Sequence, residues 1–159
     1  MRPAREGDNY FIESLYKANR DDLRLIDAED DFIESLIDMQ HKAQTQGYGD
    51  TFPNAMYFIV EKHNERVGRV VLDFSPNEIR IIDIALLPAA QGHGFASGII
   101  KALQLSATKS RTPLALSVYK TNMPARQLYA ALGFKLVDSN ANIDFLAWQP
   151  DISNTTIFS

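Results

Sequence analysis

The segment IRIIDIALLPAAQGHGFAS, residues 79–97, contains the pattern that decides the fold. Its apolar first half, Ile79 to Leu87, has the length and the β-branched content of a buried strand. The next residues include Gly92 and Gly94, which indicate a turn, and from Phe95 onward apolar residues return at helical spacing. The segment therefore predicts a strand, a glycine turn and a helix in direct succession.

The glycine turn has the composition of a phosphate-binding loop. A turn that leads into a helix exposes backbone N–H groups at the positive end of the helix dipole, where anions bind. Small residues at positions 92, 94 and 96 let a ligand approach the main chain, and Gln91 adds a side-chain donor. Pyrophosphate is the expected group, and the alternative is a turn that binds no ligand.

Two common nucleotide motifs do not fit this turn. A P-loop needs a Gly-Lys pair before a Ser or Thr, and no such pair follows here. A dinucleotide-binding fold needs a third glycine where Ser97 lies, and it is built from parallel strands. The strands that precede this turn are expected to form an antiparallel meander, so both nucleotide interpretations are weak.

The flanking sequence predicts further helices and strands. The helix that starts at Phe95 connects two strands, so those two strands should be parallel neighbours. Gly47–Asn54 is rich in turn residues and is expected to be a loop. Four helices are predicted. The first is short and capped by Asp8, and its buried stripe is Phe11, Leu15 and Ala18; the second begins near Asp27 and ends by Gly47. The third starts at Phe95, with a stripe of Ile99, Ala102, Leu103 and Ser106, and the fourth runs from Asn122 to Gly133, with a stripe of Ala125, Leu128 and Leu132. The predicted strands are Met56–Glu61, Val67–Phe74, Ile79–Leu87, Leu114–Tyr119, Phe134–Val137 and Ile143–Trp148. We expect one α/β domain over residues 1–150 and a C-terminal tail over residues 151–159.

Composition narrows the function. The 159 residues contain 16 Lys and Arg against 20 Asp and Glu, a net charge of −4, which disfavours nucleic acid as a partner. The absence of cysteine excludes disulfides, thiolate metal sites and thiol nucleophiles. The apolar run from Ile81 to Ala90 is far shorter than the roughly 20 residues of a membrane helix, and the first residues lack an apolar signal core. We therefore expect a cytoplasmic protein with no membrane partner.

A second segment, NMPARQLYAALGF from Asn122 to Phe134, supplements the first. Together they resemble the GNAT superfamily of acyl-CoA N-acyltransferases. Gln91-x-x-Gly94-x-Ala96 is similar to the pyrophosphate loop of that family, and Asn-x-x-Ala-x-x-Leu-Tyr-x-x-x-Gly-Phe is similar to its second cofactor-facing segment. The match is strong over residues 56–137, and the order of elements extends it over nearly the whole chain.

The resemblance implies a GNAT-like mixed, mostly antiparallel central sheet, flanked by helices, whose strands splay apart at the cofactor site. It implies that the backbone of the strand before the turn binds the pantetheine arm and the acyl carbonyl, and that Asn122, which also suits a helix cap, contacts the pantetheine side. Tyr129 would protonate the departing thiolate, a task that suits a neutral phenol. The strand positions are Ile84, Ala85 and Leu86, and the pyrophosphate positions are Gln91, Gly92, His93, Gly94, Phe95, Ala96 and Ser97.

The base that deprotonates the attacking amine is less clearly marked. Some relatives carry a glutamate where this chain has Ser117. Asp83 interrupts an apolar strand, so it is either the base, a ligand of the acceptor, or a structural carboxylate. The acceptor pocket is expected to be lined by Tyr48, Phe52 and Phe74.

These observations lead to one functional prediction and one alternative. We expect an N-acetyltransferase that moves the acetyl group of acetyl-CoA to a primary amine of a small molecule or protein by direct attack. The alternative is a catalytically silent acyl-CoA-binding or protein-interaction module, which Ser117 favours. His41, His63 and His93 lack ligand spacing, so no metal is expected. Exposed edge strands could pair two copies into a homodimer.

Overall fold

The computed structural model describes residues 1–20 and 30–151, with the side chains of residues 30–34, 36, 37, 48 and 49 outside that description. Short 3₁₀ turns occupy Glu6–Asp8 and Pro88–Ala90. The helices are α1 (Asn9–Ala18), α2 (Asp30–Thr51), α3 (Phe95–Ser110) and α4 (Met123–Ala131). The strands are β1 (Arg2–Pro3), β2 (Met56–Lys62), β3 (Glu65–Phe74), β4 (Ile79–Leu86), β5 (Leu114–Tyr119), β6 (Lys135–Ser139) and β7 (Ile143–Trp148).

The strands form a seven-stranded sheet in the order β1-β2-β3-β4-β5-β7-β6. The pairs β1/β2, β2/β3, β5/β7 and β6/β7 are antiparallel, and β4/β5 is parallel. The predicted α/β class, the mostly antiparallel sheet and the parallel crossover through α3 are therefore confirmed. The strand β7 lies between β5 and β6, an order that strand patterning does not predict.

Backbone contacts divide the described residues into two compact units. The first unit contains residues 1–72 and 83–93, and the second contains residues 73–82 and those from 94 onward. In the first unit, Phe11 and Leu15 of α1 are buried against Ile59 of β2, as the predicted stripe requires, while Ala18 is only half-buried. In the second unit, the core includes apolar residues on β4, α3 and β5 together with Phe134.

The predicted stripe of α3 is partly wrong. Ile99 and Leu103 are buried as expected, but Ala102 is exposed, and so is Ser106. Ile100 and Ala107 are buried in their place. The buried face of α3 is the one that carries its larger aliphatic side chains, because burying isoleucine removes more apolar surface from water than burying alanine does. On α4 the predicted stripe of Ala125, Leu128 and Leu132 is half-buried and not fully buried.

The α2 helix corrects the prediction of a loop over Gly47–Asn54. The helix continues to Thr51, so its end is not at Gly47. Glycine inside a helix costs about 1 kcal/mol relative to alanine, which the rest of a long helix can offset. Pro53 is the effective stop, because proline disfavours helical geometry in the preceding residue. The predicted start near Asp27 lies outside the described residues.

Asp8 has a different role from the predicted helix cap. Its carboxylate makes no capping hydrogen bond to α1. It accepts instead from Arg2 Nη1 at 2.8 Å, from Arg2 Nη2 at 2.9 Å and from the Arg5 backbone N–H at 2.8 Å. The hydrogen bonds from Arg2 and then from Arg5 hold the pKa of this carboxyl well below its usual range. This ion pair, in which Asp8 is buried and Arg2 is half-buried, connects β1 to the 3₁₀ turn at Glu6–Asp8.

Candidate active site

The parallel pairing of β4 with β5 is short. The registered pairs are Ile79 with Leu114, Arg80 with Ala115 and Ile81 with Leu116. The three residues expected to bind the acyl carbonyl and the pantetheine arm, Ile84, Ala85 and Leu86, lie beyond the last of these pairs. The Leu86 carbonyl oxygen accepts from two side chains, Asn19 and Gln91. The registered pairing with β5 does not extend to Ile84 and Ala85.

Gly68 sets how closely β3 approaches β4. A Cβ atom added at Gly68 would lie 2.5 Å from the Ala85 carbonyl oxygen and 2.6 Å from Leu86 Cδ2. The pairing of β2 with β3 shifts register between Val60 and Glu61, next to this glycine. Ala85 and Leu86 of β4 can therefore pack directly against the β3 backbone, because Gly68 has no side chain.

A cavity of about 280 Å³ lies at the end of β4 within the first unit. We call it the strand-end cavity. Its wall includes Leu15 and Tyr16 of α1, Gln44 of α2, Arg69 of β3, and Asp83, Ile84, Ala85 and Leu86 of β4. Asp83 and the three positions expected to bind the acyl group thus border one cavity, together with Arg69 and residues of α1 for which no site role was predicted.

Gln91 has a bracing role in this unit. Its Nε2 donates to the Leu86 carbonyl oxygen at 3.2 Å and to Asn19 Oδ1 at 3.0 Å. Asn19 Nδ2 donates to the same Leu86 oxygen at 2.9 Å. The side-chain donor expected to face phosphate is therefore engaged with the end of β4 and the end of α1. Asn19 carries no sequence signal for this role, because its partner is 67 residues away.

The turn after β4 has the backbone geometry of an anion site. Gly92 and Gly94 have φ values of 79° and 81°, in the left-handed region that favours glycine, and no atom lies within 4 Å of where a Cβ would stand on either. Gly94 is the N-cap of α3, it makes no side-chain cap, and the first turn has no acidic residue. The backbone N–H groups of this turn are therefore open to an anion.

Asp83 is paired with a buried arginine. Arg69 Nη2 donates to Asp83 Oδ2 at 2.8 Å, and the side chain of Arg69 is only 5% exposed against 24% for Asp83. Burying a guanidinium without a partner is costly, so Asp83 stabilises Arg69 in this position. Of the three roles expected for Asp83, this pairing is the one that the geometry displays directly.

A larger cavity of about 650 Å³ lies beside the first one, between α1, α2 and the sheet of the first unit. We call it the helix cavity. Arg69 and Ile12 border both cavities, and His41 of α2 borders this one. The His41 ring stacks on Tyr16, with ring centroids 4.7 Å apart. The position of His41 on this wall was not predicted from the sequence, where its only considered role was that of a metal ligand.

Burial lowers the pKa of His41 from its ordinary value of 6.5, and the positive charge of Arg69 lowers it further. Glu13 and Asp38 act in the opposite direction, and Lys17 adds to the lowering. The imidazole is therefore neutral at pH 7.

We predict an acid-side loss of stability caused by His41. The unfolded chain takes up a proton at this histidine as the pH falls below about 6.5, before the folded protein does, so acid favours unfolding. The melting temperature should fall between about pH 7.5 and about pH 5.5, and His41→Gln should reduce that fall. His63→Asn, at an exposed turn position, is the matched control and should leave the fall unchanged. An identical pH profile for His41→Gln and the native chain would contradict the assignment.

The second unit holds the other two expected site residues. Asn122 is the N-cap of α4, and its Oδ1 accepts from the Ala125 backbone N–H at 3.3 Å, which confirms the capping part of its prediction. Tyr129 is half-buried on α4, with its ring 5.7 Å from that of Phe134. Ser117 of β5 is exposed.

Two of the three expected acceptor-lining residues, Phe52 and Phe74, are absent from the described lining of both cavities. Phe52 is half-buried and does not border the strand-end cavity or the helix cavity as described. Phe74, at the end of β3 in the second unit, is 46% exposed. The side chain of Tyr48 lies outside the described residues.

Comparison with known proteins defines the class of protein. The model of the family described as "Acetyltransferase (GNAT) family" matches residues 12–134. The chain therefore belongs to the GNAT acetyltransferase family, and it is an enzyme of acetyl transfer. No curated protein matches the sequence significantly.

Solved structures share the fold. PaiA N-acetyltransferase from Thermoplasma acidophilum, in complex with coenzyme A, has a TM-score of 0.69 at 14% identity, over 93% of this chain and 96% of its own. A chimera of spermidine N-acetyltransferase SpeG from Vibrio cholerae and hSSAT has a TM-score of 0.62 at 24% identity, over 93% and 95%. A GNAT family acetyltransferase from Elizabethkingia anophelis with acetyl-CoA bound has a TM-score of 0.57 at 17% identity, over 65% and 82%.

The described residues contain neither a metal cluster nor a membrane-spanning helix. Within residues 1–20 and 30–151, no group of three or more His, Asp or Glu side chains is arranged to hold a metal ion. None of the helices in the same ranges has the length and apolar character needed to cross a membrane.

Proposed function

We propose that this protein transfers the acetyl group of acetyl-CoA to a primary amine of a small molecule or protein by direct attack of the amine. The observation that carries the proposal is the open glycine turn at the start of α3, placed directly after a strand end that lies beyond its pairing with β5. Membership of the GNAT acetyltransferase family supports it. Coenzyme A or acetyl-CoA in structures of the same fold supports the choice of donor.

Each expected residue has a defined task in this proposal. The backbone of Ile84, Ala85 and Leu86 binds the pantetheine arm and the acyl carbonyl, and main-chain N–H groups stabilise the oxyanion. Residues 91–97 hold the pyrophosphate through the backbone N–H groups of the turn. The Gln91 side chain supports the turn by its hydrogen bonds to Leu86 and Asn19. Asn122 contacts the pantetheine side, and Tyr129 donates a proton to the departing thiolate.

The amine must lose a proton to attack. Asp83 borders the strand-end cavity and remains the proposed base or acceptor ligand, with Arg69 holding its carboxylate in place. The chain contains no cysteine, so no cysteine acyl-enzyme forms and direct attack is the simpler course. Release of free CoA thiol on addition of amines distinguishes this enzyme from a silent acyl-CoA-binding module, which would bind CoA and release none.

Location and assembly belong to the same proposal. We place the protein in the cytoplasm, and fractionation of cells that express it tests this. A homodimer could form through β6, which is an edge strand of the sheet whose Leu136 and Val137 are 61% and 68% exposed. Sedimentation as a monomer at all concentrations would exclude the homodimer.

Binding of CoA should raise the melting temperature. A ligand at about 100 times its Kd stabilises the folded state by about 2.7 kcal/mol, which corresponds to a rise of roughly 5–10 °C for a chain of this size. Pantetheine, which lacks the pyrophosphate, is the matched control ligand and should give a much smaller rise. An unchanged melting temperature at saturating CoA would remove the basis of the proposed function.

A further inference from the structure

The charged side chains that line the strand-end cavity differ in balance from those of the whole chain. The chain is acidic, with a net charge of −4. Within the described part of the chain, the charged residues that line this cavity are two arginines, Arg20 and Arg69, and one aspartate, Asp83. The described lining therefore includes one more cationic than anionic side chain, whereas the chain as a whole is acidic.

Arg69 and Gln44 both have buried polar atoms without a hydrogen-bond partner among the described residues. The Nε atom of Arg69 has no acceptor, although its Nη2 is held by Asp83. The Oε1 atom of Gln44 has no donor. Unpaired buried polar atoms are rare and costly in native proteins, so this wall has the hydrogen-bonding character of a site that its ligand completes.

The helix cavity beside it is not acidic either. Arg5, Lys42 and Arg69 border it with positive charge, against Glu6 and Glu13 with negative charge. His41 on its wall is neutral, in part because the charge of Arg69 reaches it. A polycationic acceptor would need a surplus of carboxylates here, and the described lining of both cavities offers none.

We infer that the acceptor is a primary amine that also carries a carboxylate, with Arg69 binding the carboxylate and Gln44 accepting from the amine end. This rests on the proposed function, since it names the class of amine that the same site takes. Arginine suits the task because its planar guanidinium binds carboxylates through charge-assisted hydrogen bonds. Asp83 keeps the guanidinium oriented, and the strand-end cavity places the amine beside Ile84, Ala85 and Leu86, where the acyl group is expected.

The first test compares amines that differ only in the carboxylate. L-lysine is paired with 1,5-diaminopentane and L-phenylalanine with 2-phenylethylamine, and spermidine is added as a polycation. Calorimetric titration of each into the full chain saturated with CoA should show about tenfold or tighter binding for the member with the carboxylate. Equal or tighter binding of the decarboxylated amines or spermidine, or no binding of either amino acid, would overturn the inference.

The second test locates the effect at Arg69. Arg69→Lys keeps the charge but loses the planar fork, so it should raise KM about tenfold for the preferred amino acid and leave KM for the decarboxylated amine and KM for acetyl-CoA little changed. Because Arg69 also positions Asp83, any fall in kcat should be the same for both amines. Arg66→Lys, on the same strand and 42% exposed at its side chain, is the matched control and should leave all three unchanged. A loss of kcat or of acetyl-CoA binding in Arg69→Lys, with no change in amine selectivity, would show a structural role only.

The two proposals fail in different ways. If no amine releases CoA thiol although CoA binds, the proposed acetyl transfer is wrong, and the calorimetric preference for a carboxylate still decides the present inference. If amines are acetylated without that preference, the proposed function stands and the carboxylate-bearing acceptor is excluded.

Discussion

Gly68→Ala should lower the melting temperature by roughly 5 °C or more, and Gly68→Val by more than that. The added methyl group would stand 2.5 Å from the Ala85 carbonyl oxygen and 2.6 Å from Leu86 Cδ2, so β3 or β4 must move. Overpacking of this kind costs about 1–3 kcal/mol, and here one of the two close atoms is backbone and cannot rotate away. Since Ala85 and Leu86 are also expected acyl-binding residues, the KM for acetyl-CoA should rise as well.

Gly7→Ala is the control for this experiment. No atom lies within 4 Å of the position of its Cβ, and it belongs to the same unit of the structure. Thermal denaturation followed by circular dichroism measures both variants. Melting temperatures for Gly68→Ala and Gly7→Ala that agree within error would show that β3 and β4 tolerate a wider separation than the structure displays.

Tyr129→Phe should lower kcat by about 100-fold or more, with little change in CoA affinity. The variant loses only the hydroxyl that is proposed to protonate the thiolate, and it keeps the ring that packs on Phe134. Without the acid, the thiolate must leave unprotonated, which raises the barrier for breakdown of the tetrahedral intermediate. Steady-state release of CoA thiol measures kcat, and thermal shift with CoA measures binding.

Tyr119→Phe is the matched control, because Tyr119 lies in the same unit at the end of β5 and is 65% exposed. It should retain native turnover. Normal turnover in Tyr129→Phe would falsify the acid role of the phenol, and lost CoA binding in that variant would assign Tyr129 to the cofactor pocket instead.

Features that depend on a few consecutive residues could be predicted well. The strand β5 has the predicted bounds, and β4 ends one residue before the predicted Leu87. The positive φ values of Gly92 and Gly94 follow from glycine in a tight turn. Local sequence determines such elements because period-2 or helical patterning and turn chemistry act over short distances.

Features that depend on distant partners were predicted less well. The Asp8 side chain was expected to cap α1, but it is bonded to Arg2. Gln91 was expected to face phosphate, but its amide is bonded to Leu86 and Asn19. In each case a side chain had a plausible local use, and a hydrogen-bonding partner brought near by the fold replaced it.

The sequence by itself determined the family, the order of the main elements and the glycine turn, because these depend on motifs and on periodicity. The tertiary structure alone decided the character of the strand-end cavity. Arg69 and Asp83 are 14 positions apart on neighbouring strands, and Gln44 comes from a helix with no motif of its own. No pattern along the chain encodes that proximity, since the ion pair of buried Arg69 with Asp83, and the unpartnered Oε1 atom of Gln44 in the same wall, arise only when the strands and helices pack.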